Sequence, residues 1–249
     1  MQIKFHKWLL PLIISVLILA GCASLSANND ASSTDAPANA STTITASNLN
    51  NELPRLEGKA TVVMVVKGSP ITIELDGTNA PITAGNFLDL VRRGVYDGLA
   101  FHRVVREPQP FVVQGGDPQS KDPSFPVARL GTGGFMDPDT SSQRYIPLEI
   151  KPVGAEEPLY SQTLDRAGTN KTPLLQHTRG AVAMARSNVP DSASSQFYFA
   201  LTDLPFLDGN YAVFGYVTQG MDVVDGIQQG DRIESVTVVE GLDNLKNIE

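Results

Sequence analysis

The stretch ATVVMVVKGSPITIELDG, residues 60–77, constrains the fold more than any other part of the chain. Two β-branched runs flank Lys67-Gly68-Ser69-Pro70, and runs of that length bounded by turn residues read as a hairpin. Short strand-like runs then recur as LAFHRVV, PFVVQGG, YIPLEI, GAVAMA, SQFYFAL and YAVFGYV, with RIESVTVVE as the last. Between the hairpin and these runs, NAPITAGNFLDLVRRGVYDG has Pro81 near its start and Phe87, Leu90 and Val91 at i, i+3 and i+4. Arg92 and Arg93 close its last turn, and Gly94 stops it. That spacing predicts one amphipathic helix of about three turns. MDVVDGIQ is a candidate second, shorter helix. Strands in this number with only two helices predict a mainly β fold, a closed or nearly closed barrel against which the helices lie. There is no internal repeat, so the expected count is one domain.

The first residues follow a different pattern. MQIKFHK carries Lys4 and Lys7, and WLLPLIISVLILA is an apolar run of 13 residues interrupted by Pro11. A membrane-spanning helix needs about 20 apolar residues, whereas a basic start and a short apolar run make a secretory signal. The chain's one cysteine follows in Leu19-Ala20-Gly21-Cys22, which resembles a bacterial lipobox. That resemblance implies cleavage after Gly21, lipidation of Cys22 and an exported, membrane-anchored lipoprotein on a periplasmic or other extracytoplasmic face. The alternative is a free cysteine in an ordinary cleaved signal. With the single cysteine at this position, no disulfide is available within the chain. Ser, Ala, Asn and Thr dominate the residues that follow, and such a segment cannot bury enough apolar surface to offset its ordering entropy. The expected organisation is a signal at 1–21, a flexible tether at 22–56 and a folded domain at 57–249.

Charge and composition exclude several functions. The formal charge is -8, without a block of Lys or Arg, so nucleic acid is not an expected partner. Of three histidines, His6 leaves with the signal, and no G-x-S-x-G turn accompanies His102 or His177, which argues against a serine hydrolase. Two histidines and Cys22 do not make a zinc site by spacing. GTGG at 131–134 lacks the context of a phosphate loop and reads as a tight turn. No metal or cofactor is expected.

What remains is a group of polar residues on apolar strands. Alternation places Phe101, Arg103 and Val105 on one face and His102 with Val104 on the other. It likewise pairs Val112 with Gln114, and Gln196 with Tyr198. An Arg and two Gln beside Phe, Val and Tyr would edge an apolar pocket with hydrogen-bond donors. Pattern alone leaves Arg103 open between that role and a salt bridge at the barrel rim.

YDGLAFHRVV, FVVQGGDP, GTGG, SSQFYFAL and FLDGNYAVFGYV, in this order, resemble the cyclophilins, a family of peptidyl-prolyl cis-trans isomerases. The resemblance covers about residues 57–241 and implies an eight-stranded antiparallel barrel capped by two helices. By position it makes Arg103 the catalytic arginine, with Phe111, Val112 and Gln114 as the wall beside it. Ala185 and Arg186 match the stretch that binds the substrate backbone, with Gln196 nearby, and Tyr198, Phe206, Leu207 and Tyr211 match the proline pocket. His102 matches a histidine at the edge of the site, with a hydrogen-bonding role. The implied substrates are proline-containing polypeptides, and a monomer is expected.

The sequence departs from the family at several of these positions. Tyr198 stands where Phe is usual and brings a hydroxyl that needs a partner. Phe206 replaces the Trp of cyclosporin-sensitive members, so weak cyclosporin binding is expected. Arg186 stands for a frequent Asn and Tyr211 for a frequent His. REPQP, residues 106–110, is about three residues longer than the usual link, and 151–176 is an insertion. IPLEI followed by an insertion resembles the longer cyclophilins of photosynthetic organisms, some of which assemble membrane complexes. This leaves a rival expectation, a membrane-tethered chaperone or assembly factor with a cyclophilin fold and little isomerase activity.

Overall fold

The structure is a computed structural model that describes residues 53–246. The signal, the lipobox and nearly all of the expected tether lie outside the described residues. The hairpin forms as β1 (Lys59–Val66) and β2 (Ser69–Asp76). Its turn is shorter than the sequence suggests. Val66 pairs directly with Ser69, so only Lys67 and Gly68 lie between the strands, both at positive φ of 52° and 70°. A two-residue loop with that backbone matches the twist of the flanking strands. Alternate residues Val62, Met64, Ile71, Ile73 and Leu75 then point into the core.

Helix α1 (Pro81–Arg92) has Pro81 in its first turn, and Gly94 follows it at φ 66°. The expected amphipathic face is absent, because every residue from Pro81 to Val91 is buried. The polar residues on this helix meet protein instead of water. Glu149 accepts hydrogen bonds from the backbone N–H groups of Ile82 and Thr83 at 3.1 and 2.8 Å and so caps the helix N-terminus, where Ala80 has no side chain to do so. Asn86 Nδ2 donates to the Ser194 carbonyl at 2.8 Å. Asp89, fully buried, accepts from Arg92, Arg93 and Arg144.

The remaining strands of the main sheet are β3 (Arg103–Val105), β4 (Val112–Gly115), β5 (Ala181–Met184), β6 (Phe197–Ala200), β7 (Val213–Gln219) and β8 (Ile233–Glu240). Their spatial order is β8-β1-β2-β7-β5-β6-β4-β3, all antiparallel. Eight strands therefore form as expected, but the ladder does not close. The edge strands β3 and β8 are joined only through the segments before them, at Ala100 and Arg232. Phe101 N–H donates to Asp231 O at 2.8 Å and Ile233 N–H to Leu99 O at 2.9 Å. Beyond that point β3 is only three residues long and runs into REPQP, whose prolines have no N–H to offer a ladder. The sheet is thus an open, curled half-barrel tied at one end. Helix α2 (Met221–Gly226) is short, at six residues.

Two further expectations change. YIPLEI is not a strand of this sheet: Glu149–Ile150 pairs with Leu159–Tyr160, and Ile146 makes a single bridge to Ala193. The fold also begins before residue 57. Arg55–Leu56 pairs with Leu245–Lys246, and Leu56 is fully buried. The insertion is held by the ladder of Glu149–Ile150 with Leu159–Tyr160, by a bridge between Pro152 and Pro173, and by a small cluster of Leu148, Ile150, Leu164 and Ala212.

Inside the curl lies an aromatic core. Phe87, Tyr96, Phe101, Phe197, Phe199 and Phe214 are fully buried, and Tyr96 and Phe197 meet edge to face with centroids 5.4 Å apart. On the opposite face of β4, β5 and β6 a second cluster contains Val112, Ala183, Tyr198 and Leu204. The site is built on this outer face.

Candidate active site

Strand register aligns the first of the expected site residues. Arg103 on β3 is paired with Gln114 on β4, which is paired with Tyr198 on β6. Residues directly opposed across antiparallel strands share a face, so all three side chains rise from the outer face in one row. Arg103 Nη1 donates to Gln114 Oε1 at 3.3 Å, Gln114 Nε2 to Gln196 Oε1 at 3.1 Å, and Gln196 Nε2 to the Gly133 carbonyl at 2.7 Å. The Arg103 guanidinium also lies 5.5 Å from the centroid of the Phe111 ring, within cation–π range. Arg103 is exposed, and among the described residues it makes no salt bridge.

Arg103, Phe111, Val112, Gln114, Ala185, Arg186, Tyr198, Leu207 and Tyr211 line one pocket of roughly 280 Å³. Its floor is apolar and its rim carries two guanidinium groups. Arg186 is immobilised on backbone: Nε and Nη2 donate to the Asn210 carbonyl at 3.0 and 2.6 Å, and Nη1 to the Ser187 carbonyl at 2.7 Å. Its guanidinium covers the Tyr211 ring at 4.7 Å. A second cavity of roughly 370 Å³ shares Gln114, Ala185 and Arg186 and is bounded by Gly131–Gly133 and Gln196. The GTGG loop forms that wall because Asp117 holds it, accepting from the N–H groups of Gly131 at 2.6 Å and Gly133 at 3.1 Å. A Cβ on Gly133 would stand 2.2 Å from Asp117 Oδ1, so this approach requires glycine.

Three expected site residues fall elsewhere. Gln196 lies in the neighbouring cavity and reaches the pocket through Gln114. Phe206 is outside the pocket lining, largely exposed, and stacks on Phe111 with centroids 6.0 Å apart. His102 is buried and outside the pocket lining, and among the described residues neither of its ring nitrogens has a hydrogen-bond partner. Alternation, which set Phe101 on the face of Arg103, fails because β3 begins only at Arg103. Phe101 lies in the core with Val104 packed against the same cluster, while Arg103 projects outward. Burial lowers the pKa of His102, opposed by the charge of Asp117.

Two residues that the sequence reading did not assign to the site support the pocket from below. The Tyr198 hydroxyl meets His177 Nε2 at 2.9 Å, and His177 Nδ1 meets Asp208 Oδ1 at 2.8 Å. Burial pushes the Tyr198 phenol well up, so it stays protonated. Burial pushes His177 down, with the Asp208 carboxylate opposing. The only sequence signal for this chain was a tyrosine hydroxyl in an apolar setting that required a partner. Taken together, the pocket offers an apolar slot, one exposed charged donor at its edge and fixed amides beside it. Among the described residues no group of acids, histidines and cysteines could hold a metal.

Residues 61–249 match the family described as cyclophilin type peptidyl-prolyl cis-trans isomerase/CLD. A protein of Synechocystis named as a thylakoid lumen peptidyl-prolyl cis-trans isomerase is 42% identical over 205 residues, 78% of this chain and 51% of its own length. A chloroplastic peptidyl-prolyl cis-trans isomerase of Arabidopsis thaliana is 41% identical over 213 residues, 78% of this chain and 46% of its own. The chain thus spans about half the length of these two relatives. Among solved structures, a cyclophilin-type isomerase of Cryptosporidium parvum, crystallised in the presence of the dipeptide Ala-Pro, superposes with a TM-score of 0.52 at 22% identity. That match covers 72% of this chain and 99% of the other and shows a shared fold.

Proposed function

The chain belongs to the cyclophilin-type peptidyl-prolyl cis-trans isomerase family, and on that premise we propose that it accelerates isomerisation of X-Pro bonds in exported or membrane proteins. The observation that carries this reading is Arg103, held by Gln114 and Phe111 at the edge of an apolar pocket. An X-Pro bond turns over a barrier of about 18–20 kcal/mol because the amide loses conjugation as it twists. No bond breaks, so neither a nucleophile nor a base is required. As the amide twists, the proline nitrogen gains a lone pair. An N–H of Arg103 meets it with a charge-assisted hydrogen bond that does not exist in the planar ground state. Val112, Leu207 and the two tyrosine rings hold the proline ring while the preceding carbonyl swings. Gln114, fixed on both sides, orients the flanking peptide.

A proline-limited refolding assay tests the reading. The protein is expected to accelerate the slow phase, and Arg103→Ala to lose about 10² to 10³ of that acceleration, as for removal of one donor to a developing charge. Equal slowness of the two would leave the rival role, a binding or assembly factor without isomerase activity. Phe206 lacks an indole N–H and lies outside the pocket. Cyclosporin is accordingly expected to bind weakly, and a nanomolar dissociation constant by calorimetry would contradict the placement of this residue.

The exported setting rests on the basic and apolar residues before Cys22 and on relatives named for the thylakoid lumen and the chloroplast. A lipid on Cys22 would tether a monomeric domain to the membrane, since two acyl chains suffice for stable anchoring where one is marginal. Mass spectrometry of the mature N-terminus is expected to find acyl chains on Cys22. An unmodified terminus would remove the anchor from the proposal.

A further inference from the structure

Beneath the pocket runs a largely buried chain of three side chains, from Tyr198 through His177 to Asp208, of which the isomerisation chemistry above uses only the Tyr198 ring. Its proton positions follow from its geometry. Asp208 Oδ1 receives the backbone N–H of His177 at 2.8 Å and lies the same 2.8 Å from His177 Nδ1. A carboxylate only accepts, so Nδ1 carries the proton. A neutral imidazole protonated there leaves Nε2 as an acceptor, and the Tyr198 hydroxyl must donate to it. The two rings lie nearly parallel, 14° apart, and the His177 side chain has no exposure at all.

The chain joins two walls of the pocket that come from separate parts of the sequence. Tyr198 is on β6, whereas Asp208 follows directly after Leu207, another lining residue. His177 belongs to neither wall and enters at the end of the insertion. Its position is fixed there by the Tyr216 hydroxyl, which accepts from the Gln176 N–H at 3.0 Å and donates to the Gln176 carbonyl at 2.9 Å. Leu204 N–H then donates to the His177 carbonyl at 2.7 Å. Leu175 packs against the same outer cluster as Tyr198 and Leu207.

We propose that His177 and Asp208 are positioning residues of the proline pocket, holding the Tyr198 ring as its wall through the hydroxyl, and that segment 151–176 serves the site by delivering His177. The proposal rests on the pocket being the proline site. Without His177 the hydroxyl is buried and unpaired, and the ring must leave its place to find a partner. This also explains how tyrosine functions at a position where an apolar ring would need no support.

The test is a double-mutant cycle read by NMR titration with the peptide Ala-Ala-Pro-Phe. His177→Ala is expected to weaken binding about tenfold in the wild-type background and less than twofold in a Tyr198→Phe background, where no hydroxyl needs a partner. His177→Gln, whose amide oxygen accepts from the hydroxyl, is expected to restore most of the affinity. If His177→Ala does not fold, His177→Phe keeps the ring volume and carries the same cycle. Nitrogen-15 spectra of the wild type should show His177 protonated at Nδ1. Equal losses in both backgrounds would make His177 a general structural residue and overturn the proposal, as would a proton on Nε2. Failure of the wild type to bind the peptide would overturn the pocket reading and this proposal with it. Binding that depends on Arg103 while the cycle is additive would remove only the positioning role.

Discussion

Neighbouring residues on the same three strands have opposite fates. Val104, Val113, Phe197 and Phe199 face inward, into a core of fully buried aromatic rings that meet edge to face. Arg103, Gln114 and Tyr198 face outward, and each makes side-chain hydrogen bonds to a neighbour on another strand or loop. The inner face depends on volume and the outer face on partners. One backbone can carry both because the side-chain period of a strand is two. Residues that fill the core and residues proposed for the pocket are thereby separated by a single step along the chain.

Substitutions on adjacent positions should make that separation measurable. The largest stability loss is expected from Phe197→Ala, about 3–5 kcal/mol in denaturant unfolding, because a fully buried ring leaves a cavity among Phe87, Tyr96 and Phe199. A loss below 1 kcal/mol would mean that the inner face is not close-packed. Arg103→Ala should do the reverse, costing two to three decades of isomerase activity while stability stays within about 0.5 kcal/mol. Gln114→Ala comes next, with an expected tenfold loss in kcat/KM. It frees Arg103 and leaves Gln196 Oε1 without its donor, although the strand pairing is unchanged. Retained activity in this variant would show that Arg103 needs no support.

The smallest effect concerns pH. Burial lowers the pKa of His102 and His177 below the ordinary 6.5, with Asp117 and Asp208 opposing. In the unfolded chain both regain the ordinary value, so between the folded and unfolded values the unfolded state binds more protons and stability rises with pH. Their contribution is full above the unfolded pKa and is lost as pH falls from 6.5 through the folded values. The melting temperature should therefore be lower at pH 5.5 than at pH 7.5, and His177→Gln should reduce the difference. A melting temperature independent of pH across this range would show that neither histidine is held neutral by burial.

Much of the molecule was legible from local pattern. The hairpin, the start and stop of α1, all eight sheet strands with the hairpin counted as two, and the outward set of Val112, Gln114 and Tyr198 follow from periods of two and 3.6 with their turn residues. YIPLEI had the same local pattern and still left the sheet, because strand pairing depends on a partner edge that no local pattern describes. Alternation also misplaced Phe101, set on the face of Arg103 but buried in the core, since it assumed a strand that starts two residues later. Phe206 reads as a pocket residue by position but lies outside, against Phe111. Helix α1 reads as amphipathic, yet Glu149, Arg144 and the Ser194 carbonyl meet its polar groups.

By itself the sequence determined which residues are apolar, where the chain turns and which face of a formed strand each side chain takes, because those follow from steric preference and period within a few residues. Tertiary structure alone decided that the eight strands curl without closing, that Glu149 caps a helix 66 residues away, and that Tyr198 is held by His177 and Asp208. Those outcomes depend on pairing between distant groups. A buried polar atom takes whichever partner the assembled fold brings within hydrogen-bond reach.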